Sequence, residues 1–212
     1  MFLRFFQRLH LTERVPPTLC LISLAFVTVF STACGQDGVT PEMAAEMATA
    51  ARAEATAEAA GGEKASFLAN VEVMREKFLA LAEAFPEDEY TWRPMEGVRS
   101  VSEVLMLIAT EGYNLAPSAL GGTASITRDE QGELRMITDK AEVIDHLNKG
   151  FDYLKMEIEA IDPATLVDSR ELFGQERTTP DIVLFVAGDM HEHLGQLIAY
   201  ARTNEIVPPW SQ

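Results

Sequence analysis

Two of the four histidines in this chain fall in one short segment, His191-Glu192-His193, with Asp189 just before it. The segment is not a zinc-protease motif, because that motif needs histidines four residues apart with a glutamate next to the first. On a helix, His191 and His193 point about 200° apart, whereas Asp189 and His193 lie one turn apart on one face. We therefore expect His191 to face solvent or a partner, and Asp189 and His193 to face the interior together.

Several other chemistries are missing from the sequence. It has no glycine-rich phosphate loop, no Gly-x-Ser-x-Gly elbow and no candidate catalytic cysteine, since Cys20 and Cys34 are its two cysteines and both lie near the N-terminus. The formal charge is −16, from 33 acidic and 17 basic residues. Because binding to phosphate backbones needs a positive surface, this balance argues against a nucleic-acid partner.

The N-terminal region has the features of a secretory signal. Three arginines precede a mostly apolar run over residues 18–30, which is too short to span a bilayer comfortably as a helix. The alternatives are an uncleaved anchor helix or a buried core helix.

The end of this apolar run resembles the cleavage region of a bacterial lipoprotein signal. Small residues lead to Ala33-Cys34-Gly35, although Ser31 stands where the pattern prefers Leu, Val or Ile. The resemblance implies that residues 1–33 are removed and that Cys34 is lipidated, so that the protein is exported and anchored in the bacterial cell envelope. Cleavage after Ala33 without lipidation would instead release a periplasmic protein.

Residues 34–62 are predicted to be a spacer that precedes a domain over residues 63–212. Residues 41–60 contain ten alanines, and their larger apolar side chains are Met43 and Met47. Such a segment has helical propensity but almost no apolar stripe that could pack on a domain. The alternative is that it forms a first helix packed on the domain.

Four stretches of the predicted domain have apolar residues at the three-and-four spacing of amphipathic helices. The four sets are Phe67, Val71, Met74, Phe78, Leu81 and Phe85; Val101, Val104, Leu105 and Ile108; Ile144, Leu147, Phe151, Leu154, Ile158 and Ile161; and Val183, Val186, Met190, Leu197 and Ala201. A capping box at Ser100 and Glu103, Asp139 and Thr179 mark the starts of the second, third and fourth helices. The second helix should extend to about Leu120, and a polar connection to about Thr138 should follow. The pattern predicts an all-α four-helix bundle with a long crossover between its second and third helices.

The sequence resembles the DinB-like (damage-inducible protein B) superfamily of four-helix bundles over roughly residues 64–210. The resemblance rests on Phe85-Pro86 with the loop into the second helix, on residues 104–109, and on residues 191–202 followed by Pro208-Pro209-Trp210. The last of these passages is similar to a secreted or lipoprotein-like subgroup.

Members of this superfamily typically bind a divalent metal through one histidine on the second helix and two histidines on the fourth. Carried over to this sequence, the positions hold Leu107, Asp189 and His193, so only His193 matches. Glu111, one turn beyond Leu107, could supply a third ligand to Zn, Ni or Mn. The favoured alternative is that His193 is a histidine at the core edge, hydrogen-bonded to Asp189 or Glu111.

Two functions follow from this comparison. We favour an exported DinB-like protein with a degenerate metal site and a binding or non-catalytic role. The alternative is a metal-dependent thiol S-transferase or hydrolase that uses Asp189, His193 and Glu111. A homodimer is also expected, with the membrane contacted through the N-terminal lipid.

Overall fold

The computed structural model describes residues 40–211, so the predicted signal peptide and Cys34 lie outside the described residues. The chain divides into two units, residues 1–45 and residues 46–212. Of the first unit, only the beginning of one helix is described. The core and the candidate site belong to the second unit. No helix within residues 40–211 combines the length and the hydropathy needed to cross a membrane.

Helices make up most of the described chain. They are α1 (Pro41–Ala84), α2 (Val101–Tyr113), α3 (Leu115–Ala119), α4 (Arg128–Leu134), α5 (Lys140–Ala160) and α6 (Thr179–Thr203), with short 3-10 helices at Glu87–Glu89, Pro163–Val167 and Pro209–Ser211. Strands β1 (Arg170–Leu172) and β2 (Gln175–Arg177) pair antiparallel, with Leu172 opposite Gln175. The predicted all-α class is therefore confirmed, with α1, α2, α5 and α6 as the four principal helices.

The predicted apolar faces form the core. The α1 set is buried throughout, and Phe78, Leu147 and Phe151, one from α1 and two from α5, are 0%, 0% and 3% exposed. Two predicted members, Ile144 and Val183, are only half-buried. In each case the preceding residue is buried instead, because a step of one residue turns a side chain by about 100°. The predicted apolar face of each helix is confirmed, but the residues at the edges of these faces were predicted less accurately.

Two lysines tie α1 to α5, each at the C-terminus of the other helix. Lys140 Nζ, at the start of α5, donates to the carbonyl oxygens of Glu83 and Phe85 at 2.8 and 2.7 Å. Lys64 Nζ, in α1, donates to the carbonyl oxygens of Glu159 and Ile161 at 3.0 and 2.7 Å. A cation at a helix C-terminus satisfies carbonyls that have no partner within the helix. The two helices therefore run antiparallel, each capped by a lysine from the other.

The closest approach between α2 and α5 is made at glycines. A Cβ atom placed on Gly150 would lie 2.5 Å from the Ala109 carbonyl oxygen, and one on Gly112 would lie 2.6 Å from the Gly150 carbonyl oxygen. Both obstacles are backbone atoms, which cannot rotate away as a side chain can. The two glycines thus set the distance between the helix that carries Glu111 and the helix that supports it.

The predicted boundary between spacer and domain is not marked by a break in the helix. In the described part of the spacer, residues 41–62 are helical, and α1 continues through Gly61 and Gly62 to Ala84. A Cβ at either glycine would meet nothing within 4 Å, so neither marks a turn or a close contact. Glycine disfavours a helix by roughly 1 kcal/mol relative to alanine. The surrounding good helix formers are sufficient to offset this cost.

The predicted helix boundaries need correction in three places. The second helix does not extend to Leu120: α2 ends at Tyr113, Asn114 leaves the helical conformation, and α3 is a separate short helix. The predicted polar connection contains α4, which begins with its own capping box at Thr127 and Glu130. Helix α6 is capped by Thr178 rather than Thr179.

The irregular stretch predicted before the fourth helix is a β-hairpin. Its two turn residues, Phe173 and Gly174, both have positive φ, 52° and 74°. Positive φ at both central positions is the geometry of a type I′ turn, whose twist matches that of the flanking strands. Glycine is common at such a position but phenylalanine is not, which is why the sequence did not predict a hairpin here.

Candidate functional site

Three predicted site residues meet between α2 and α6. His193 is 8% exposed, and its Nε2 lies 3.7 Å from Asp189 Oδ1, one turn earlier on α6. Glu111, on α2, forms a side-chain hydrogen bond with Asp189. Helical periodicity explains the pairing of Asp189 with His193. The position of Glu111 next to this pair depends instead on how α2 packs against the other helices.

A chain of hydrogen bonds determines which nitrogen of His193 carries the proton. The Tyr200 hydroxyl donates to the Arg99 carbonyl oxygen at 2.9 Å, because a carbonyl can only accept. The hydroxyl in turn accepts from Gln196 Nε2 at 2.6 Å, which leaves Gln196 Oε1 as the acceptor for His193 Nδ1 at 3.0 Å. Neutral His193 therefore carries its proton on Nδ1, and its Nε2 lone pair faces Asp189.

The pKa of the Glu111 carboxyl lies well above its usual range. Burial raises the pKa of Glu111 to about 9, aided by the hydrogen bond to Asp189 and by the negative charge of Asp189, while Arg135 and Arg99 act in the opposite direction. Desolvation disfavours the charged form of a carboxyl, and a neighbouring carboxylate disfavours it further. At neutral pH Glu111 is thus a neutral acid that donates its proton toward Asp189.

Two arginines that sequence reasoning missed stand near this carboxyl pair. Arg135 follows the last residue of α4, and its Nε donates to Thr110 Oγ1, on α2 next to Glu111, at 3.2 Å. Arg99 precedes α2, and its carbonyl anchors the hydrogen-bond chain from His193. Arg99 lies in the loop into the second helix, which is part of the family resemblance, but nothing in the sequence marked its side chain as functional. Arg135 lay in a connection where no helix was expected.

The residues present do not form a metal-binding group as they are arranged. Within residues 40–211, no cluster of three or more His, Cys, Asp or Glu side chains is placed so that it could hold a metal ion. Leu107, at the position that holds the second-helix histidine in the superfamily, is 4% exposed and offers no donor atom. Burial and the hydrogen bond to Asp189 raise the pKa of Glu111, so that Glu111 does not present a free carboxylate at neutral pH. The metal role of Glu111, Asp189 and His193 stays a prediction.

His191 and Gly195, on either side of His193 in the sequence, are both exposed. His191 is exposed and lies 3.4 Å from the Asn70 side chain on α1, outside the site. Gly195 is exposed, and a Cβ there would meet nothing within 4 Å, so it does not mark a close helix approach. The close approach occurs instead at Gly112 and Gly150.

Comparison with known families agrees with this architecture. The profile of the DinB superfamily matches residues 70–197, more than half of the chain, and includes Glu111, Asp189 and His193. The chain therefore belongs to the DinB superfamily. A search of the curated proteins finds no match.

Proposed function

We propose that this chain is an exported DinB-superfamily protein with a binding, non-catalytic role, in which Glu111 and Asp189 share a proton at the position of a degenerate metal site. The observation that carries the proposal is the hydrogen bond between these two side chains in a desolvated position. A shared proton keeps two carboxyl groups together without a cation. Such a site offers polar groups in fixed positions that a ligand can contact. It does not offer an open coordination position on a metal ion, which catalysis would need.

The carboxyl titration of Glu111 tests this proposal. In 13C NMR spectra, we expect the Glu111 carboxyl to remain protonated at pH 7 and to titrate near pH 9, and we expect micromolar zinc, nickel or manganese to leave this titration unchanged. In Asp189→Asn the pKa of Glu111 should fall but stay above its usual range, because burial is the larger cause of the shift.

The same proton has a consequence for stability. Since the folded-state pKa of Glu111 is raised above the unfolded value of 4.5, the folded state binds more protons between about pH 5 and pH 9, so the free energy of unfolding should fall as pH rises through that window. Glu111→Gln, which keeps a neutral donor, should remove this slope. A Glu111 carboxyl that titrates near 4.5 in the wild type would contradict the proposal.

The second candidate function is metal-dependent thiol transfer or hydrolysis, and one observation favours it. His193 is oriented through its Nδ1 by Gln196, so that its Nε2 lone pair is available. Metal-binding histidines are commonly oriented in this way by a hydrogen bond from the other ring nitrogen. Stoichiometric metal binding by the wild type that is lost in His193→Ala would favour this alternative.

We further propose export through the N-terminal signal and anchoring by a lipid on Cys34. The support is the basic region, the short apolar run and Ala33-Cys34-Gly35. In a bacterial host, labelled fatty acid should enter the wild type and not Cys34→Ser, and the variant should move to the soluble fraction. Cys20→Ser is the matched control and should behave as the wild type. Absence of label from the wild type would overturn lipidation. The homodimer stays a prediction.

A further inference from the structure

A cleft of about 320 Å³ is lined by Arg93, Arg99 and Arg135, of which Arg99 and Arg135 lower the pKa of Glu111. Its other lining residues are Gly97, Val98, Glu103 and Met136. Three guanidinium groups around one cleft are unusual in a chain whose formal charge is −16. The cleft therefore concentrates positive charge in a protein whose net charge is negative.

The three arginines are not equivalent. Arg93 already has a carboxylate partner, because its Nη2 lies 3.2 Å from Glu103, and its Nη1 donates to the Val98 carbonyl oxygen at 3.0 Å. Among the residues that the structure describes, no carboxylate lies within 4.0 Å of the guanidinium nitrogens of Arg99 or Arg135. Arg93 thus stabilises the wall of the cleft, and Arg99 and Arg135 supply its unpaired positive charge.

Arg99 and Arg135 also repel one another. Burial lowers the pKa of Arg135, and the positive charge of Arg99 lowers it further. Glu111 is the carboxyl that favours the charged form of Arg135, yet its oxygens lie more than 4.0 Å from the guanidinium nitrogens of both arginines. Two like charges that lie close together without a counter-charge repel one another. An anion bound between them would stabilise both.

The walls of the cleft are held in place before any ligand arrives. Arg135 is fixed by its Nε hydrogen bond to Thr110, and the backbone of Arg99 is fixed by the Tyr200 hydroxyl. Gly97, with φ of 80°, makes the turn that leads to Val98 and Arg99. A guanidinium whose backbone or Nε is already held loses less conformational freedom on binding a ligand.

We propose that this cleft binds a small organic anion, whose carboxylate is held by Arg99 and Arg135 and whose apolar part contacts Val98 and Met136. Arginine pairs with a planar carboxylate through two parallel N–H donors, a geometry that a lysine cannot offer. The volume of the cleft lies at the lower end of the range for ligand pockets, which suits a small molecule. The inference names a ligand class for the proposed binding function and rests on that function.

Benzoate and benzamide are the probes for this site, because they have nearly the same shape and differ in charge. With the full chain labelled at arginine with 15N, we expect benzoate to shift the Nε–Hε signals of Arg99 and Arg135 saturably. Benzamide should leave both signals in place. Arg99→Gln and Arg135→Gln should each weaken benzoate binding by on the order of tenfold or more, as expected for loss of a charge-assisted hydrogen bond.

Arg128→Gln is the matched control. Arg128 is exposed at the start of α4, outside the cleft, and its replacement changes the net charge by the same amount. Benzoate binding that survives Arg128→Gln but not Arg99→Gln supports the proposal. Equal weakening in both variants, equal binding of benzamide, or a shift that never saturates would overturn it. Arg99 is exposed and contacts α6 through its backbone carbonyl, so Arg99→Gln keeps the test valid even if Arg135→Gln disturbs α4.

Two independent readouts separate this inference from the proposed function, because benzoate binding is measured at pH 7 and the titration of Glu111 is measured without benzoate. If Glu111 titrates as expected and benzoate does not bind at pH 7, the anion site is wrong. Benzoate binding at pH 7 by a protein whose Glu111 carboxyl titrates near 4.5 would support the cleft and contradict the proposed function.

Discussion

Replacing Leu107 and Asp189 together by histidine is expected to create a protein that binds one divalent metal ion tightly and is stabilised by it. The two changes restore the ligand types that the superfamily carries on its second and fourth helices, beside His193. A ligand that binds only the folded state at 1,000 times its dissociation constant adds about 4 kcal/mol to the free energy of unfolding. For a chain of this size the melting temperature should rise by about 10 °C.

The comparison must be made within one variant, with metal and with a chelator. Leu107 is 4% exposed, so a histidine there will cost stability on its own account. That cost is the same in both samples and cancels in the difference. Wild type should show no metal-dependent change, and each single variant should show less than the double variant. No metal effect in the double variant would mean that positions 107, 189 and 193 do not converge on one point.

Adding one methyl group to Gly150 is expected to lower the free energy of unfolding by about 3 kcal/mol, the upper part of the range for overpacked sites. The new Cβ would lie 2.5 Å from the Ala109 carbonyl oxygen, so α2 and α5 would have to move apart. Because Glu111 lies on α2, the same displacement should lower the pKa of Glu111 toward its usual value. Urea denaturation and the carboxyl titration measure the two effects.

Gly188→Ala is the matched control for this change. Gly188 lies in the middle of α6, and a Cβ there would meet nothing within 4 Å. Alanine is favoured over glycine in a helix by about 1 kcal/mol, so this variant should be more stable than the wild type. The same chemical change should therefore have opposite signs at two helical positions. Stabilisation by Gly150→Ala would show that the two helices are not held at the distance observed.

How much of the site was predictable differs from residue to residue. Asp189 and His193 were predicted to face the interior together, because four residues along a helix return to the same face. The tautomer of His193 was not predictable, since it depends on Arg99, which is 94 positions earlier in the sequence than His193. Gln196 and Tyr200 transmit that dependence through single hydrogen bonds.

The end of the second helix was predicted wrongly, and the predicted spacer boundary at Gly61-Gly62 is not visible as a break in α1; the two differences have a common cause. Local helix propensity was the basis for placing a boundary at Gly61-Gly62 and for extending the second helix to Leu120. Propensity determines helix ends only weakly when neighbouring residues favour a helix or tertiary contacts oppose one. Helix α1 continues through the glycines, whereas α2 ends early at Tyr113 and α3 follows. The hairpin was missed because Phe173 adopts a positive φ that its residue type rarely adopts.

The sequence by itself determined the all-α class, the apolar face of each helix and the caps at Ser100 and Asp139, because periodicity and capping are properties of neighbouring residues. Only the tertiary structure decided that Glu111 is buried next to Asp189. It also decided that Arg99 and Arg135 face one cleft without carboxylate partners. These features depend on the distances and angles between helices. The glycine contact between α2 and α5 and the hydrogen bond from Arg135, at the end of α4, to Thr110 set those distances and angles. No local sequence pattern encodes them.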